Sequence, residues 1–166
     1  MDFSIVNEYV ERVEHCREHT LRLPRLNEPL KVGLDLGTCF TVLVVLDSED
    51  QPLACEIERS NALKDGVVVD YLKACQTVKK LKEQAEDKLG VELTECVIAM
   101  PPGTERSDSR THSYVASSSG LEVVGVIDEP TAANILLGLV NGAVVDIGGG
   151  TTGISLFQQG RVVKVA

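Results

Sequence analysis

The sequence predicts an α/β fold in which helices flank a mixed β-sheet. Short apolar runs bounded by glycine, proline or acidic residues read as strands, and longer stretches with apolar residues three or four apart read as helices between them. A group of three strands occurs twice, once from residue 31 and again from residue 142. The 166 residues suffice for an ordinary domain with its own core, and a hydrophobic content of 43% excludes a disordered chain.

The second group of strands contains the most informative stretch. The apolar run 143–145 leads into Asp146, an acid whose burial at a strand end is costly unless it has a partner. Three glycines, Gly148, Gly149 and Gly150, then allow the backbone to approach a ligand closely, and Thr151 supplies a hydroxyl. An acid for a cation, bare N–H groups for phosphate oxygens and a hydroxyl beside them indicate a loop that binds a metal–nucleotide phosphate.

The same order of residue types occurs earlier, at residues 32–38. Asp35 follows an apolar run, and Gly37 and Thr38 follow the acid before a second apolar run begins at Phe40. A single Asp-x-Gly is common turn chemistry and would be weak evidence. Two copies with matching flanks predict two related phosphate hairpins that face each other.

The N-terminal residues 2–20 are predicted as a helix, because apolar residues line one face: Phe3, Val6, Val10, Val13 and Cys16. The helix either packs on its own domain, the interpretation we favour, or detaches and docks on a partner. His15 and His19 have a spacing that could bind a metal, but they lack a third ligand and are interpreted as surface residues. The proline-containing residues 21–30 are predicted as an extended linker.

The first half of the core is predicted as strands at 31–36, 40–46 and 53–58, followed by a turn at 64–66 and a helix at 71–89. Asp70 is the candidate N-cap of that helix and Gly90 its candidate stop. The turn residues Lys64 and Asp65 are interpreted as ordinary turn chemistry. The inward face of the helix is predicted to comprise Leu72, Cys75, Val78, Leu81, Ala85 and Leu89.

The second half of the core is predicted to begin with a strand at 96–100 and a polar helix, capped by Thr104, that ends near Gly120. On this helix His112 is predicted at the surface, and the inward candidates are Tyr114, Val115 and Ser118. A strand at 121–127 then leads into a helix that runs from 129 to 140. Strands at 142–147, 153–158 and 161–166 complete the chain.

Glu129 opens the helix that contains Pro130, at the end of the preceding strand. An acid in a first helical turn is explained by the helix dipole alone, and taken by itself that explanation would be preferred. Near two phosphate loops, however, a glutamate at a strand's carboxyl end is also well placed to polarise a water molecule.

Composition excludes several kinds of partner. The net charge of −9 argues against nucleic acid or an anionic membrane, because both require a basic face. No apolar run approaches the roughly 20 residues of a membrane span, and the N-terminus does not resemble a secretory signal. Five scattered cysteines without a CxxC pair predict reduced, buried thiols in a cytoplasmic protein.

These motifs resemble, in order, those of the actin, heat-shock chaperone and sugar kinase ATPase superfamily. The matching stretches are 35–38 for the first phosphate motif, 128–133 for the connecting motif and 146–151 for the second phosphate motif. Residues 64–70 are similar to a stretch of the rod-shaping bacterial actins. Within the superfamily the chain most resembles the ethanolamine-utilisation J family, chaperone-like proteins encoded with bacterial microcompartment operons.

The resemblance implies a two-domain clamp that closes on ATP and Mg²⁺. Asp35 would face the metal, Asp146 would face the metal or the attacking water in a catalytic role, and Glu129 would position that water. The phosphates would be held by Gly37, Thr38, Gly148, Gly149, Gly150 and Thr151. The domains would be a helix and linker at 1–29, an actin-like, ribonuclease H-like ATPase domain at 30–141, and the opening strands of a second, truncated domain at 142–166. Cys39 departs from the small or hydroxyl residue common in relatives.

The expected function is that of an ATP-binding, chaperone-like protein of ethanolamine utilisation, with slow hydrolysis in the full-length form and weak or absent turnover in this chain. Its expected partners are microcompartment enzymes or shell proteins.

The alternative function is that of a non-catalytic scaffold, which would use the fold as a clamp or filament unit. A small-molecule kinase ranks last because no sugar-binding insert precedes residue 100. Uncovered strands at 142–166 predict self-association.

Overall fold

The computed structural model of the protein describes residues 3–104 and 106–166. Its helices are α1 (Ser4–His15), α2 (Tyr71–Leu89), α3 (Arg106–Ser118) and α4 (Glu129–Leu137). Its strands are β1 (Lys31–Leu36), β2 (Phe40–Leu46), β3 (Pro52–Arg59), β4 (Leu63–Lys64), β5 (Val67–Val68), β6 (Glu95–Met100), β7 (Glu122–Asp128), β8 (Gly142–Ile147), β9 (Thr152–Gln158) and β10 (Arg161–Val165).

A five-stranded mixed sheet with the order β3-β2-β1-β6-β7 forms the main layer. β1 pairs antiparallel with β2 but parallel with β6, and β6 pairs parallel with β7. The α2 and α3 helices pack together beside this sheet, and the buried core between the layers includes Leu34, Leu43, Leu81, Ile98 and Val115. The predicted α/β class with a mixed sheet and flanking helices is therefore confirmed.

The α2 helix has the predicted bounds because both of its ends carry strong local signals. The Asp70 carboxylate accepts a hydrogen bond from the Lys73 amide, and Gly90 adopts a left-handed conformation that ends the helix. The predicted inward position of Leu72 is wrong, since its side chain is 73% exposed. The buried stripe begins two residues later, and its members are Ala74, Thr77, Val78, Leu81, Ala85 and Leu89.

The α3 helix also faces the core differently from its prediction. His112 is fully buried rather than at the surface, whereas Tyr114 and Ser118 are exposed. The inward stripe consists of His112, Val115, Ala116 and Ser119, spaced as one helix face requires. A polar helix offers few apolar residues to mark this face. The predicted cap Thr104 donates its hydroxyl to the Pro101 carbonyl, and Glu105, which follows it, lies outside the described residues.

The N-terminal helix, Ser4–His15, is shorter than the predicted 2–20, of which Asp2 lies outside the described residues. It packs against β3, and the Tyr9 hydroxyl donates to the Asp50 carbonyl, in the turn before that strand, at 2.7 Å. Its C-cap residue, Cys16, is fully buried. These contacts agree with a helix that packs on its own domain.

The linker is fixed to the turn after β2 by ionic hydrogen bonds. The Arg22 guanidinium donates to both oxygens of Glu28, at 2.9 and 2.7 Å, and also to the buried carboxylate of Asp47. The bonds from Arg22 and the Arg25 amide lower the pKa of Glu28 to about 2. The carboxylate of Asp47 has a lowered pKa too: burial would raise it, but bonds from the Gln51 amide and Arg22 outweigh that effect.

The last three strands form a separate sheet with the order β10-β9-β8. The helix before them, α4, ends at Leu137 rather than at the predicted residue 140, because Gly138 takes a left-handed cap conformation. The inner face of the sheet is buried at Val144, Gly153, Ser155 and Phe157. Its outer face, which comprises Ala143, Val145, Ile147, Ile154 and Leu156, is apolar yet exposed, and Ile147 is 79% exposed.

The cysteines match their predicted state in part. Among the described residues all five are free, and Cys16, Cys55 and Cys96 are buried, but Cys39 is exposed because it lies at the tip of a loop rather than in the core. No helix in the described part of the chain has the length and apolarity to cross a bilayer.

Candidate functional site

The topology brings Asp35 and Glu129 to one edge of the main sheet. Since β1, β6 and β7 are parallel, their carboxyl ends meet there, with Asp35 beside Ala99 and Met100 beside Asp128 in the pairing register. Glu129 follows immediately as the first residue of α4. The carboxyl edge of parallel strands is where open α/β sheets place their ligands.

The second sheet adds Asp146 to the same place. Asp146 shares a face of β8 with the buried Val144, and its charge raises the pKa of both other acids. Burial first and Asp146 second raise the pKa of Asp35 to about 6. The pKa of Glu129 is also raised, by burial, by the charges of Asp35 and Asp146, and by a hydrogen bond to Asp146. We call Asp35, Glu129 and Asp146 the carboxylate cluster.

The carboxylate cluster fits a divalent cation. Among the described residues the buried Asp35 Oδ1 atom has no hydrogen-bond partner, and a bound positive charge would favour the ionised forms of Asp35 and Glu129, whose pKa values are raised. No group of three side chains among the described residues is spaced to ligate one metal directly. Mg²⁺ usually keeps several waters and binds through one or two carboxylates and substrate phosphates, so this arrangement suits it.

The two glycine loops lie against each other, as the repeated motif predicts. Loop 1 comprises residues 37–39 and loop 2 residues 148–151. A Cβ atom added to Gly150 would lie 2.8 Å from Oγ1 of Thr38, and one added to Gly149 would lie 2.3 Å from Sγ of Cys39. Loop 2 is closed on itself, because the Gly148 amide donates to the Thr151 carbonyl at 2.9 Å. The glycines of loop 2 thus allow close approach to loop 1.

A third segment reaches both loops and was missed as a functional element by the sequence analysis. The tip of the β4–β5 hairpin, Asp65–Gly66, has positive φ at both residues. The Gly66 amide donates to the Thr38 hydroxyl at 3.4 Å, and a Cβ on Gly66 would lie 3.4 Å from Cγ2 of Thr151. The Asp-Gly pair predicts a tight hairpin, but no local signal shows what the hairpin contacts.

Comparison with known proteins identifies the family. The sequence model of the protein family described as Hsp70 protein matches residues 72–165 of this chain. The ethanolamine utilization protein EutJ of Salmonella typhimurium is 45% identical over 138 residues, which are 83% of this chain and 48% of that protein. The crystal structure of EutJ from Carboxydothermus hydrogenoformans matches with a TM-score of 0.87 and 41% identity, over 96% of this chain and 58% of that one.

A further solved structure shows likeness of fold alone. MreB5 of Spiroplasma citri bound to ADP has a TM-score of 0.63 and 20% identity, and the match covers 82% of this chain and 51% of that one. The chain spans about half the length of the curated EutJ relatives that it matches. Because the Hsp70 model covers more than half of its residues and EutJ proteins match most of it, the chain belongs to the Hsp70 family, within the actin-like ATPase superfamily, and is similar to EutJ.

Proposed function

We propose that this chain binds the phosphates of ATP together with Mg²⁺, as part of a chaperone-like protein of ethanolamine utilisation. The observation that carries the proposal is the convergence of two facing glycine loops with three carboxylates, one of which has a buried oxygen without a hydrogen-bond partner among the described residues. The likeness to EutJ supports the physiological setting, and MreB5, a neighbour of the same fold, is bound to ADP, which supports the choice of a nucleotide.

Each group in the site has a distinct proposed role. Asp35 and Asp146 would hold Mg²⁺ through water, and the bound ion would supply the positive charge that phosphoryl transfer requires. Gly37, Thr38 and loop 2 would offer N–H and hydroxyl donors to the phosphate oxygens. Glu129, ionised once a cation offsets its neighbours, would accept a hydrogen bond from a water and orient it.

The proposed domain division follows the predicted boundaries. Residues 1–29 would form the N-terminal helix and linker, 30–141 the first ATPase domain, and 142–166 the opening strands of a second domain. The separation of β8–β10 into their own sheet supports the last boundary. Microcompartment enzymes or shell proteins are the proposed partners of the whole protein, as the likeness to EutJ suggests.

Titration calorimetry with Mg-ATP tests the function directly. We expect binding by the wild-type chain and its loss in Asp146→Ala, because the substitution removes one of two proposed metal-facing carboxylates. The matched control is Asp87→Ala, which removes an exposed acid on α2 and should leave binding unchanged. Equal Mg-ATP affinities for wild type and Asp146→Ala would contradict the proposal.

A scaffold role is the second candidate, and the exposed outer face of the second sheet favours it. Antiparallel sheets usually present polar residues to water, whereas Val145 pairs here with Ile154 and Ala143 with Leu156 on the exposed side. The neighbouring edge strand β10 is exposed at every residue. A second copy of the chain would cover the apolar pairs and pair with this edge.

We therefore expect light scattering to show self-association of the chain that increases across micromolar concentrations. Ile154→Lys should weaken it, since the new charge would have to be buried between copies. Gln84→Lys, which places the same charge at an exposed position of α2, is the control. A monomer at every concentration would exclude this interface.

A further inference from the structure

One hydrogen-bonded contact joins the second sheet to the start of α4. Ser155 of β9 is fully buried, and its hydroxyl donates to Oδ1 of Asp128 at 2.8 Å. The same oxygen accepts the Thr131 amide at 2.9 Å and thereby caps α4. The Thr131 hydroxyl lies 3.4 Å from the Ser155 hydroxyl, to which it donates. Ser155 thus holds the residue immediately before Glu129.

Ser155 is also linked rigidly to Asp146. In the β8–β9 register Val144 lies opposite Ser155 and Asp146 lies opposite Gly153. These four residues share the inner face of one hairpin, because alternate residues of paired strands point to the same side. Any shift of this hairpin relative to α4 therefore moves Asp146 relative to Glu129.

A close steric contact lies beside the hydrogen bonds. A Cβ on Gly153 would lie 2.6 Å from Cδ of Pro102 and 3.1 Å from Cγ of Pro130. The two proline rings limit how closely the hairpin approaches, but ring contacts are non-directional and leave rotation and sliding free. The hydrogen bond from Ser155 is directional and restrains those movements.

We propose that Ser155 is a positioning residue that sets the orientation of Glu129 against Asp146 by holding the Asp128 cap of α4. The inference rests on the proposed function, since the geometry matters for metal and phosphate binding. Residues that orient metal-site groups through hydrogen bonds typically account for roughly 10- to 100-fold in metal affinity. Ser155 touches neither the metal nor the phosphates in this arrangement, so its effect would be exerted through α4.

The test compares ATP affinity with Mg²⁺ and with EDTA for Ser155→Ala, Ser155→Thr and Ser119→Ala. Ser119 is the matched control, a buried serine immediately after α3 whose hydroxyl donates to the Cys75 and Val115 carbonyls away from the site. The measured quantity is the ratio of the ATP affinity with Mg²⁺ to the ATP affinity with EDTA. We expect this ratio to be about tenfold smaller in Ser155→Ala than in wild type. Ser155→Thr, which keeps the hydroxyl, should retain most of the wild-type ratio. Ser119→Ala should lower stability but leave the ratio of the two affinities unchanged.

Amide hydrogen exchange separates this inference from the proposed function. Ser155→Ala should accelerate exchange of the Thr131 amide, which loses its oriented acceptor, whereas Ser119→Ala should not. A wild-type chain without Mg²⁺-dependent ATP binding would contradict the proposed function, and the Thr131 amide would still report whether Ser155 orients the cap. The positioning role would be overturned if the exchange rate of the Thr131 amide were unchanged in Ser155→Ala. It would also be overturned if the ratio of the ATP affinities with Mg²⁺ and with EDTA were equal in Ser155→Ala and Ser119→Ala.

Discussion

In the absence of divalent cations, the free energy of unfolding should fall as the pH rises through the range between 3.8 and about 6, because Asp35 titrates at about 6 in the folded protein instead of its ordinary 3.8. Within this range the folded state binds more protons than the unfolded state, so stability decreases with increasing pH. This shift in the pKa of Asp35 lowers the free energy of unfolding by at most about 3 kcal/mol across the range. Glu129, whose pKa is raised by burial and by its acidic neighbours, extends the fall to higher pH.

Acids with a lowered pKa, among them Glu28 and Asp47, produce the opposite trend at lower pH. The pKa of Glu28 is lowered to about 2, and that of Asp47 is lowered as well. The stability that they contribute is present above the ordinary pKa of a carboxyl group and is lost as the pH falls through their folded values. Stability should therefore be highest near the ordinary carboxyl pKa, between the two ranges.

Urea denaturation in EDTA at a series of pH values measures this profile. Asp35→Asn should flatten the fall on the alkaline side, because the amide does not titrate, and Mg²⁺ added to wild type should reduce the fall as well. Asp87→Asn, on the exposed face of α2, serves as the control and should keep the wild-type slope. An alkaline slope that persists unchanged in Asp35→Asn would show that the carboxylate cluster does not cause it.

Gly37→Ala should destabilise the fold by about 2 kcal/mol through overpacking. A Cβ at this position would lie 2.6 Å from the carbonyl oxygen of Phe40. Since that atom belongs to the backbone of β2, the methyl group cannot be accommodated by a side-chain rotation, and loop 1 itself must move. The change should therefore also weaken any phosphate binding by loop 1.

Gly33→Ala provides the comparison for this substitution. Gly33 lies on β1, the strand that leads into loop 1, and a Cβ there would meet no described atom within 4 Å. We expect a change within about 0.5 kcal/mol, as for an ordinary surface substitution. Urea midpoints of the two variants give the difference directly. Equal midpoints would mean that loop 1 is free to relax around the added methyl group.

Elements with strong local signals were predicted with accurate bounds. Strands β1 and β2 and helix α2 begin and end at the predicted residues, because apolar alternation, the Asp70 cap and the Gly90 stop are all encoded within a few residues. The two acid-glycine motifs were found in the same way. A polar or short segment carries weaker signals, and the prediction accordingly overestimated the lengths of α1 and α4.

The amino-acid sequence by itself determined which segments form strands, helices and glycine loops, and which acids stand at their ends. Only the tertiary structure decided that Leu72 faces water and His112 the core, and that the Asp65–Gly66 tip contacts both loops. It also decided that Asp146 lies close enough to Asp35 and Glu129 for its charge to raise the pKa of both. The physical reason is range: caps and periodicity act over a few residues, whereas burial and the meeting of charges depend on the order of strands far apart in the chain.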